Sequence, residues 1–385
     1  FKGKIQKTYD KKILPNYGVF DEKRYFNSGQ KSVTFNHKGK KFGLLICEDI
    51  WTPGPAEELS QKNVDYIICI NASPYEINKA GMRVHEIQKR ISRLGAIQLI
   101  YVNMVGGQDE LLFDGLSFIT HSNIDESNRN IYFSSKQFLT LNATVDLSLT
   151  LGESVIEKYD KFPFHRMPSS SHLYLAGDST HKEHLIYNLL NGLILATKDY
   201  IEKNSIKNIF IGLSGGIDSA VVLFIASKAI KKENITAIMM PSVFTSKDSL
   251  EDAKTLARNL EVTYKVTTIK PLMKSFNKSL DKDFKGLKKD ITEENIQARI
   301  RGVLLMAYAN KFNGMVLATG NKSEVAVGYS TIYGDMVGGF SVLKDVPKTL
   351  VYKIANEINY NQIIIPNRII TRPPSAELSE NQTDQ

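Results

Sequence analysis

The sequence predicts a mixed α/β protein of two domains, a layered α/β domain followed by a doubly wound parallel sheet. Length is the first reason, because 385 residues at about 150 per domain make two or three domains. The second is the regular alternation of apolar strand-like runs with helix-compatible segments from Asn208 onward, which implies a parallel sheet. The third is a loosening between Val145 and Thr180, where Pro163, Pro168, Ser169, Ser170 and Ser171 mark a linker. The expected division is a first domain at 1–150, a linker at 151–178 and a second domain at 179–385.

In the first domain the apolar runs Phe42 to Cys47, Tyr66 to Ile70 and Ile97 to Val102 read as strands. Lys79 to Leu94 is charged and compatible with a helix between the last two. Leu116 to Thr120 and Asn130 to Phe133 look like hairpin pieces. Past the linker, His181 to Glu202 reads as a strong helix, with Leu185, Leu189, Leu193 and Ala196 on one stripe. Four strands follow, at Asn208–Leu213, Thr236–Met240, Tyr264–Ile269 and Gly314–Thr319. Helices at Asp218–Lys231, Ser249–Leu260 and Glu293–Phe312 separate them. A lysine-rich loop precedes the last helix, and its run Lys282 to Lys289 reads as mobile and solvated. Ligands of doubly wound sheets sit at the carboxyl ends of the strands, so the loops after Leu213, Met240 and Thr319 should meet at one site.

Composition narrows the functional classes. Hydrophobic residues at 42% and charged residues at 23% exclude a disordered or collagen-like chain. The 2 cysteines cannot build a disulfide framework and suit a reducing compartment. A net charge of +8 fits anionic ligands such as phosphates and does not by itself argue for nucleic acid. No secretory signal opens the chain, since Phe1 to Lys12 is basic and lacks an apolar segment. The longest weakly charged apolar stretch, Ile209 to Ser227, is broken by Gly212, Gly215 and Gly216, and reads as strand, loop and helix rather than a membrane span. A cytoplasmic enzyme is expected. A start at Phe1 and a stop just after a Pro-rich turn read as a piece of a longer polypeptide.

Ile211 to Ser219 (IGLSGGIDS) is the most specific short signal. An apolar strand runs into Ser214, Gly215 and Gly216, and Asp218 and Ser219 open a helix. Glycines allow a tight turn that exposes N–H groups, and the helix dipole favours an anion there. The absence of Gly-Lys-Ser/Thr excludes a Walker loop. From the residues alone the segment is either an anion-holding loop or a ligand-free turn. It resembles the pyrophosphate loop of the N-type ATP pyrophosphatases, which cleave ATP between the α and β phosphates. The resemblance implies ATP contacts at Gly212, Leu213, Ser214, Gly215, Gly216, Ile217, Asp218 and Ser219. Asp218 near phosphates would suit Mg²⁺.

Four further segments are similar to NAD synthetases: TEENIQARIRG at 292–302, LATGNKSEVAVGY with STIYGD at 317–335, PPSAEL at 373–378, and MPS at 240–242. The resemblance implies that the nicotinate carboxylate of deamido-NAD attacks the α phosphate of ATP, and that ammonia then displaces AMP. It also implies an adenine nucleotide alpha hydrolase-like fold, ATP contact at Thr319, deamido-NAD contacts at Asn295 and Glu324, and Mg²⁺ at Asp218 and Glu324. Arg299, Arg301, Lys322 and Asp335 are further candidate contacts, though a solvated or ion-paired face suits Arg299 and Arg301 equally.

In the first domain YDKKILPNYGVFDE at 9–22 and GLLICEDIW at 43–51 look like the carbon–nitrogen hydrolase (nitrilase) domain of glutamine-dependent NAD synthetases. That family folds as an α-β-β-α sandwich, here expected to be partial. Cys47 alone could be a buried structural cysteine; by resemblance it is the nucleophile and Lys11 the catalytic lysine. Glutamine would then be the ammonia source, bound at Tyr17, Ser73 and Lys79, with Glu22 and Glu110 as polar supports. The family's general-base glutamate precedes the lysine motif, and residues 1–10 contain none. A homo-oligomer that passes ammonia internally is also implied. Cys69, inside Tyr66 to Ile70, reads as structural with no polar companion.

Other amidotransferases of the pyrophosphatase group remain a rival reading. GMP synthetases, however, pair the loop with a Cys-His-Glu glutaminase, and asparagine synthetases need an N-terminal cysteine. A stand-alone amidase carrying a nucleotide-binding module is the other rival. Retention of Ser214, Asp218, Glu324 and Cys47 argues against a degenerate, non-enzymatic module.

Overall fold

The computed structural model describes residues 3–121, 131–134, 137–138, 141–144, 156–159 and 180–379. The chain forms two compact units, residues 1–185 and 186–385.

The first unit opens with the hairpin β1 (Thr34–His37) and β2 (Lys40–Ile46). Its two-residue turn takes positive φ at both Lys38 (46°) and Gly39 (75°), the backbone twist that a tight hairpin requires. Next come α1 (Glu48–Trp51), α2 (Pro55–Gln61), β3 (Tyr66–Asn71), α3 (Lys79–Ile91) and β4 (Gln98–Asn103). After these lie β5 (Val105–Gln108), β6 (Leu111–Asp114), β7 (Phe118–His121), β8 (Ile131–Ser134), β9 (Leu141–Thr144) and β10 (Ile156–Tyr159). One 6-stranded sheet runs β1-β2-β3-β4-β7-β8, with β2, β3 and β4 parallel. Helices must lie in the parallel crossovers, and α2 and α3 supply them. Leu59 of α2 and Val84, Ile87 and Ile91 of α3 pack on Leu45, Ile67, Cys69, Leu99 and Tyr101. Strand residues alternate faces, so Ile70 and Val102 point the other way, at 53% and 44% exposure. Among the described residues the unit thus presents one helix-covered sheet of the expected sandwich.

Helix α4 (Thr180–Lys203) leads into the second unit. Its buried positions among the described side chains are Tyr187, Leu189, Leu190, Asn191, Gly192, Ile194, Thr197 and Ile201. Leu185, Leu193 and Ala196 are only half-buried, so the stripe expected from leucine spacing is rotated by about one position. Leucine spacing could not reveal that Asn191 and Thr197 face inward.

The remaining elements are β11 (Asn208–Gly212), α5 (Ile217–Ala229), β12 (Ile235–Met239), α6 (Lys247–Asn259), β13 (Thr263–Val266), α7 (Lys270–Leu280), α8 (Ile291–Lys311) and β14 (Gly314–Ala318). After them come α9 (Lys322–Val327), β15 (Phe340–Ser341), α10 (Lys348–Ile358) and α11 (Asn367–Thr371). The sheet order is β13-β12-β11-β14-β15, and all four pairings are parallel. Strand order reverses between β11 and β14. Doubly wound sheets open a ligand crevice at such a switch point, outside the strands' carboxyl ends.

Two expectations change here. The segment before α8 is not all loop, because α7 occupies Lys270–Leu280, with Pro271 in its first turn and Met273 packed on the Phe210–Ile238–Ile300 cluster. A charged helix with a narrow apolar edge is hard to tell from a lysine-rich loop. The strand expected to reach Ile269 stops at Val266, and Ile269 is instead buried in that cluster. Residues 282–289 are exposed, as a solvated charge run should be. The linker expected at 151–178 falls outside the described residues except for 156–159. No helix among the described residues is long and apolar enough to cross a membrane.

Candidate functional site

In the second unit β11 delivers the chain into the glycine loop. Gly215 adopts φ +80°, and a Cβ there would lie 2.6 Å from the Ser249 carbonyl oxygen. Ser214 and Ser219 close the loop side chain to side chain at 3.1 Å. Gly216 N–H donates to Ser214 Oγ (3.1 Å), and the Ser219 hydroxyl donates to Gly216 O (3.0 Å). Helix α5 then starts at Ile217, with its N-terminus over the loop. Neither the φ nor the space at Gly215 admits a side chain. Gly215→Ala is therefore expected to weaken binding of a phosphate-bearing ligand at the loop by at least ~10-fold, read as a rise in the Kd for a nucleoside triphosphate probe.

A cavity of about 370 Å³ lies at the switch point, lined among others by Gly212, Ser214, Asp218, Thr319, Glu324 and Lys348. Asn321 organises its acidic wall. Its side chain caps α9 by accepting Glu324 N–H (3.1 Å), while Glu324 Oε2 accepts Asn321 N–H (3.2 Å). The remaining Asn321 amide donates to Asp218 Oδ1 at 3.0 Å. One buried amide thus ties the loops after β11 and β14 together. Lys348, at the start of α10, pairs with Asp218 and lies 3.7 Å from Glu324.

Burial, and then the neighbouring Asp218 charge, raise the Glu324 carboxyl above its ordinary value. Burial pulls Lys348 down, but the Asp218 and Glu324 charges outweigh it and leave the ammonium raised. A carboxyl raised by folding contributes stability that is whole below its unfolded pKa, about 4.3, and lost as pH rises through the folded value. Glu324→Gln stays neutral and keeps an acceptor for Asn321 N–H. It is expected to melt above the parent at about pH 7.5 and to lose that advantage at about pH 4. Calorimetry across that range checks the sign.

The other candidates in this unit separate. Thr319 lines the cavity, as do Arg301 and Asp335. Burial pushes Arg301 down to about 10, and its Nε donates to Met240 O at 3.1 Å. Burial raises the Asp335 carboxyl, which accepts Thr331 N–H at 2.8 Å. Asn295 is not among the cavity-lining residues; its Oδ1 accepts the Thr331 hydroxyl at 2.8 Å. Arg299 bonds Ile332 O (3.3 Å), and Lys322 is exposed at the start of α9. Sequence reasoning passed over Lys348 and Asn321. A capping-box pattern, Asn321 with Glu324, was legible for the second. It also gave no role to Arg372, which bonds Gly215 O and Ser249 Oγ, or to Glu377, which accepts Ser246 N–H and both serine hydroxyls of Ser246 and Ser249.

In the first unit Cys47 follows β2 directly and precedes α1 with φ 46° and ψ −102°. Non-glycine residues rarely take such angles, and holding one there costs ~1–3 kcal/mol. Cys47 N–H donates to Ile70 O (2.9 Å), and its carbonyl accepts Ile50 N–H (3.1 Å) to start the helix. Burial raises the Cys47 thiol; the Lys11 ammonium and Ala72 N–H oppose it, and Glu48 and Glu22 add to the rise. The Lys11 Nζ contacts both Glu22 carboxylate oxygens at 2.7 Å. Lys11, Glu22, Cys47 and Glu48 therefore share one charged neighbourhood. Tyr17 joins it through its hydroxyl, which donates to Glu48 Oε2 at 2.9 Å.

Ser73 follows β3, buried, with its N–H on Asn103 Oδ1 at 3.0 Å. Asn103 also donates to Asp114 Oδ1 (3.3 Å) and Gly115 O (2.8 Å), and Asp114 forms a buried pair with Arg83 at 3.0 Å. Lys79 opens α3 and pairs with Glu76 at 2.6 Å. Glu110 lies exposed in the β5–β6 turn. Cys69 is fully buried, and burial raises its thiol strongly. It does have a polar companion, contrary to expectation: its thiol meets Asn71 Oδ1 at 3.5 Å, because residues two apart on a strand share a face.

Comparison with known proteins matches the NAD synthase family model over residues 189–385 and the carbon-nitrogen hydrolase model over residues 2–150. The glutamine-dependent NAD(+) synthetase of Acinetobacter baylyi is 43% identical over 385 residues, covering 100% of this chain and 66% of the relative. That of Thermotoga maritima is 42% identical, covering 100% of this chain and 68% of the relative. The structure of the Acinetobacter baumannii glutamine-dependent NAD+ synthetase in complex with adenosine diphosphate superposes with a TM-score of 0.81 at 40% identity, covering 98% of this chain and 67% of that one. The chain thus spans about two thirds of the length of these relatives. With identity at this level along its whole length and both family models matched in order, the chain belongs to the glutamine-dependent NAD(+) synthetase family.

Proposed function

We propose that the protein is a glutamine-hydrolysing NAD+ synthase, a C–N ligase that converts deamido-NAD, ATP and glutamine into NAD, AMP, pyrophosphate and glutamate. The observation that carries the reading is the Asp218–Lys348–Glu324 cluster beside the glycine loop at the sheet's switch point. Backbone N–H groups of the loop and the α5 N-terminus receive the ATP phosphates. Lys348 and Arg301 supply positive charge where negative charge builds as the nicotinate carboxylate oxygen attacks the α phosphorus and the bond to pyrophosphate breaks. Ammonia then adds to the acyl carbon of the adenylate, AMP leaves and a proton is lost, giving the amide. Asn295 supports the deamido-NAD site through Thr331, which borders the cavity-lining residues Tyr329, Ser330 and Asp335.

The donor set fits Mg²⁺. Two carboxylates stand together at the phosphate loop, and no group of three or more acidic, His or Cys ligands occurs among the described residues. Mg²⁺ is usually held by one or two carboxylates plus substrate phosphates. Asp218 and Glu324 would hold it, and it would neutralise phosphate charge.

In the first unit the Cys47 thiolate attacks the glutamine side-chain amide carbon. The proton that the thiol has given up passes to the amide nitrogen, the C–N bond breaks and ammonia leaves, and water then cleaves the thioester to glutamate and the free thiol. Lys11 stabilises the oxyanion, Glu22 orients Lys11, and Tyr17, Ser73 and Lys79 hold glutamine. A homo-oligomer completes the reading, and sedimentation tests it. The deciding assay follows NAD and AMP from deamido-NAD, ATP and magnesium, with glutamine or ammonium as donor. NAD and AMP with both donors is the expected result. AMP formed only with another acceptor would leave the loop assigned and the substrate wrong.

A further inference from the structure

The proposed reaction leaves one fully buried carboxylate beside the nucleophile without a role. Asp49 lies in α1, two residues past Cys47, with its side chain closed to solvent. Its Oδ1 accepts Lys12 N–H (3.1 Å) and Ile13 N–H (2.8 Å). Its Oδ2 accepts the Tyr9 hydroxyl (2.7 Å) and Ile46 N–H (3.1 Å). Three of these donors come from the segment that carries Lys11. The fourth belongs to the residue immediately before Cys47. The carboxylate therefore joins the Tyr9 side chain before the lysine and the Lys12–Ile13 backbone after it to the strained turn that holds the thiol.

Other contacts fix the same segment from the outside. Gly29 N–H donates to Lys11 O at 2.8 Å, and Lys12 Nζ pairs with Glu58 at 2.5 Å. Lys12 and Ile13 give Asp49 their backbone N–H groups, and the four accepted hydrogen bonds compensate the buried carboxylate. Such a group is costly unless fully bonded, and bonds to an ionised acceptor are the short, strong ones. Burial and the Asp49 bond push the Tyr9 phenol far above its ordinary value, which keeps it a donor.

We propose that Asp49 is a positioning residue for glutamine hydrolysis: it clamps residues 9–13 to the Cys47 turn and so sets the distance between the Lys11 ammonium and the Cys47 sulfur. The inference rests on the glutaminase reading above. Misplacement by about an ångström can cost ~10²-fold in rate. A clamp on an oxyanion-stabilising group should act on kcat more than on KM.

The test uses the protein at its natural length, with Asp49→Asn, Tyr9→Phe and Cys47→Ala variants. The Asp49→Asn change keeps the side-chain shape, but one carboxylate oxygen becomes an amide N–H₂ and its two accepted hydrogen bonds are lost. For Asp49→Asn the expected glutamine-dependent kcat is down ~10²-fold, with KM for glutamine moved less than ~3-fold and ammonium-dependent synthesis unchanged. The pH midpoint for iodoacetamide alkylation, followed on the Cys47 peptide, should rise, because the nearby ammonium no longer favours the thiolate. Tyr9→Phe should show the same pattern at ~10-fold. An Asp49→Asn protein with parental kcat and midpoint overturns the proposal. So does one that loses kcat while the midpoint stays, since that marks a merely structural role. If Asp49→Asn fails to fold, Tyr9→Phe decides, and an unmoved midpoint there overturns the clamp. Cys47→Ala separates the two levels. Surviving glutamine turnover in that variant defeats the glutaminase reading itself, whereas its loss beside a parental Asp49→Asn defeats only the clamp.

Discussion

Cys47→Ala is expected to abolish glutamine-dependent NAD formation, by at least ~10³-fold, while ammonium-dependent formation stays within about twofold of the parent. In the proposed reaction the thiol sulfur is the reacting atom, so no neighbour can substitute for it. It is also the side chain that the strained turn at φ 46° holds out from the end of β2. The asymmetry between donors follows from the two-unit construction: Cys47 belongs to the first unit and the Asp218–Lys348–Glu324 cluster to the second. Removing one Sγ from a buried position leaves a small cavity, and a loss of ~1 kcal/mol of stability is the accompanying cost. Parallel assays with glutamine and with ammonium, on protein whose melting is recorded, check all three numbers. Equal loss with both donors would show instead that Cys47 supports folding and not glutamine chemistry.

Lys348→Met is expected to lower synthesis with either donor by ~10²–10³-fold. Met fills similar space without charge, so packing of α10 on α5 survives. Two effects then add. The phosphates lose a cation, and Asp218 and Glu324 face each other uncompensated. Glu324, already raised by burial and then by Asp218, is raised further when the counteracting Lys348 is gone. Acid therefore inactivates the variant at a higher pH than the parent. Pyrophosphate–ATP exchange in the presence of deamido-NAD isolates this step from ammonia, whose own protonation would confuse the profile. Lys348→Arg should recover little, because a planar fork replaces a compact ammonium that contacts two carboxylates. An unchanged acid limb in Lys348→Met would remove Lys348 from the site.

The sequence by itself determined the strand–helix alternation of the second unit, the glycine loop before α5, and the segments around Lys11 and Cys47. These are local signals. Apolar runs of strand length, glycines before a helix start and contiguous motif strings are written in neighbouring residues, so no fold is needed to read them. Charged helices with a narrow apolar edge escaped, and α7 is the example. Its one anchor among the cluster's neighbours, Met273, packs on the core cluster that includes Phe210 and Ile300, residues remote in the chain. The rotation of the α4 stripe escaped for the same reason, since only packing shows that Asn191 and Thr197 turn inward.

Tertiary structure alone decided the groupings that make sites. Lys348 stands 130 positions from Asp218 in sequence, and Asn321 stands 103 from it. They meet because strand order reverses between β11 and β14, so loops from distant strands converge at one end of the sheet. Asp49 likewise reaches Tyr9 across 40 positions. A motif scan sees the residue that performs chemistry when its neighbours are sequential. It misses the residue that holds that chemistry in place, because hydrogen bonds and buried charge are satisfied through space and leave no periodic mark along the chain.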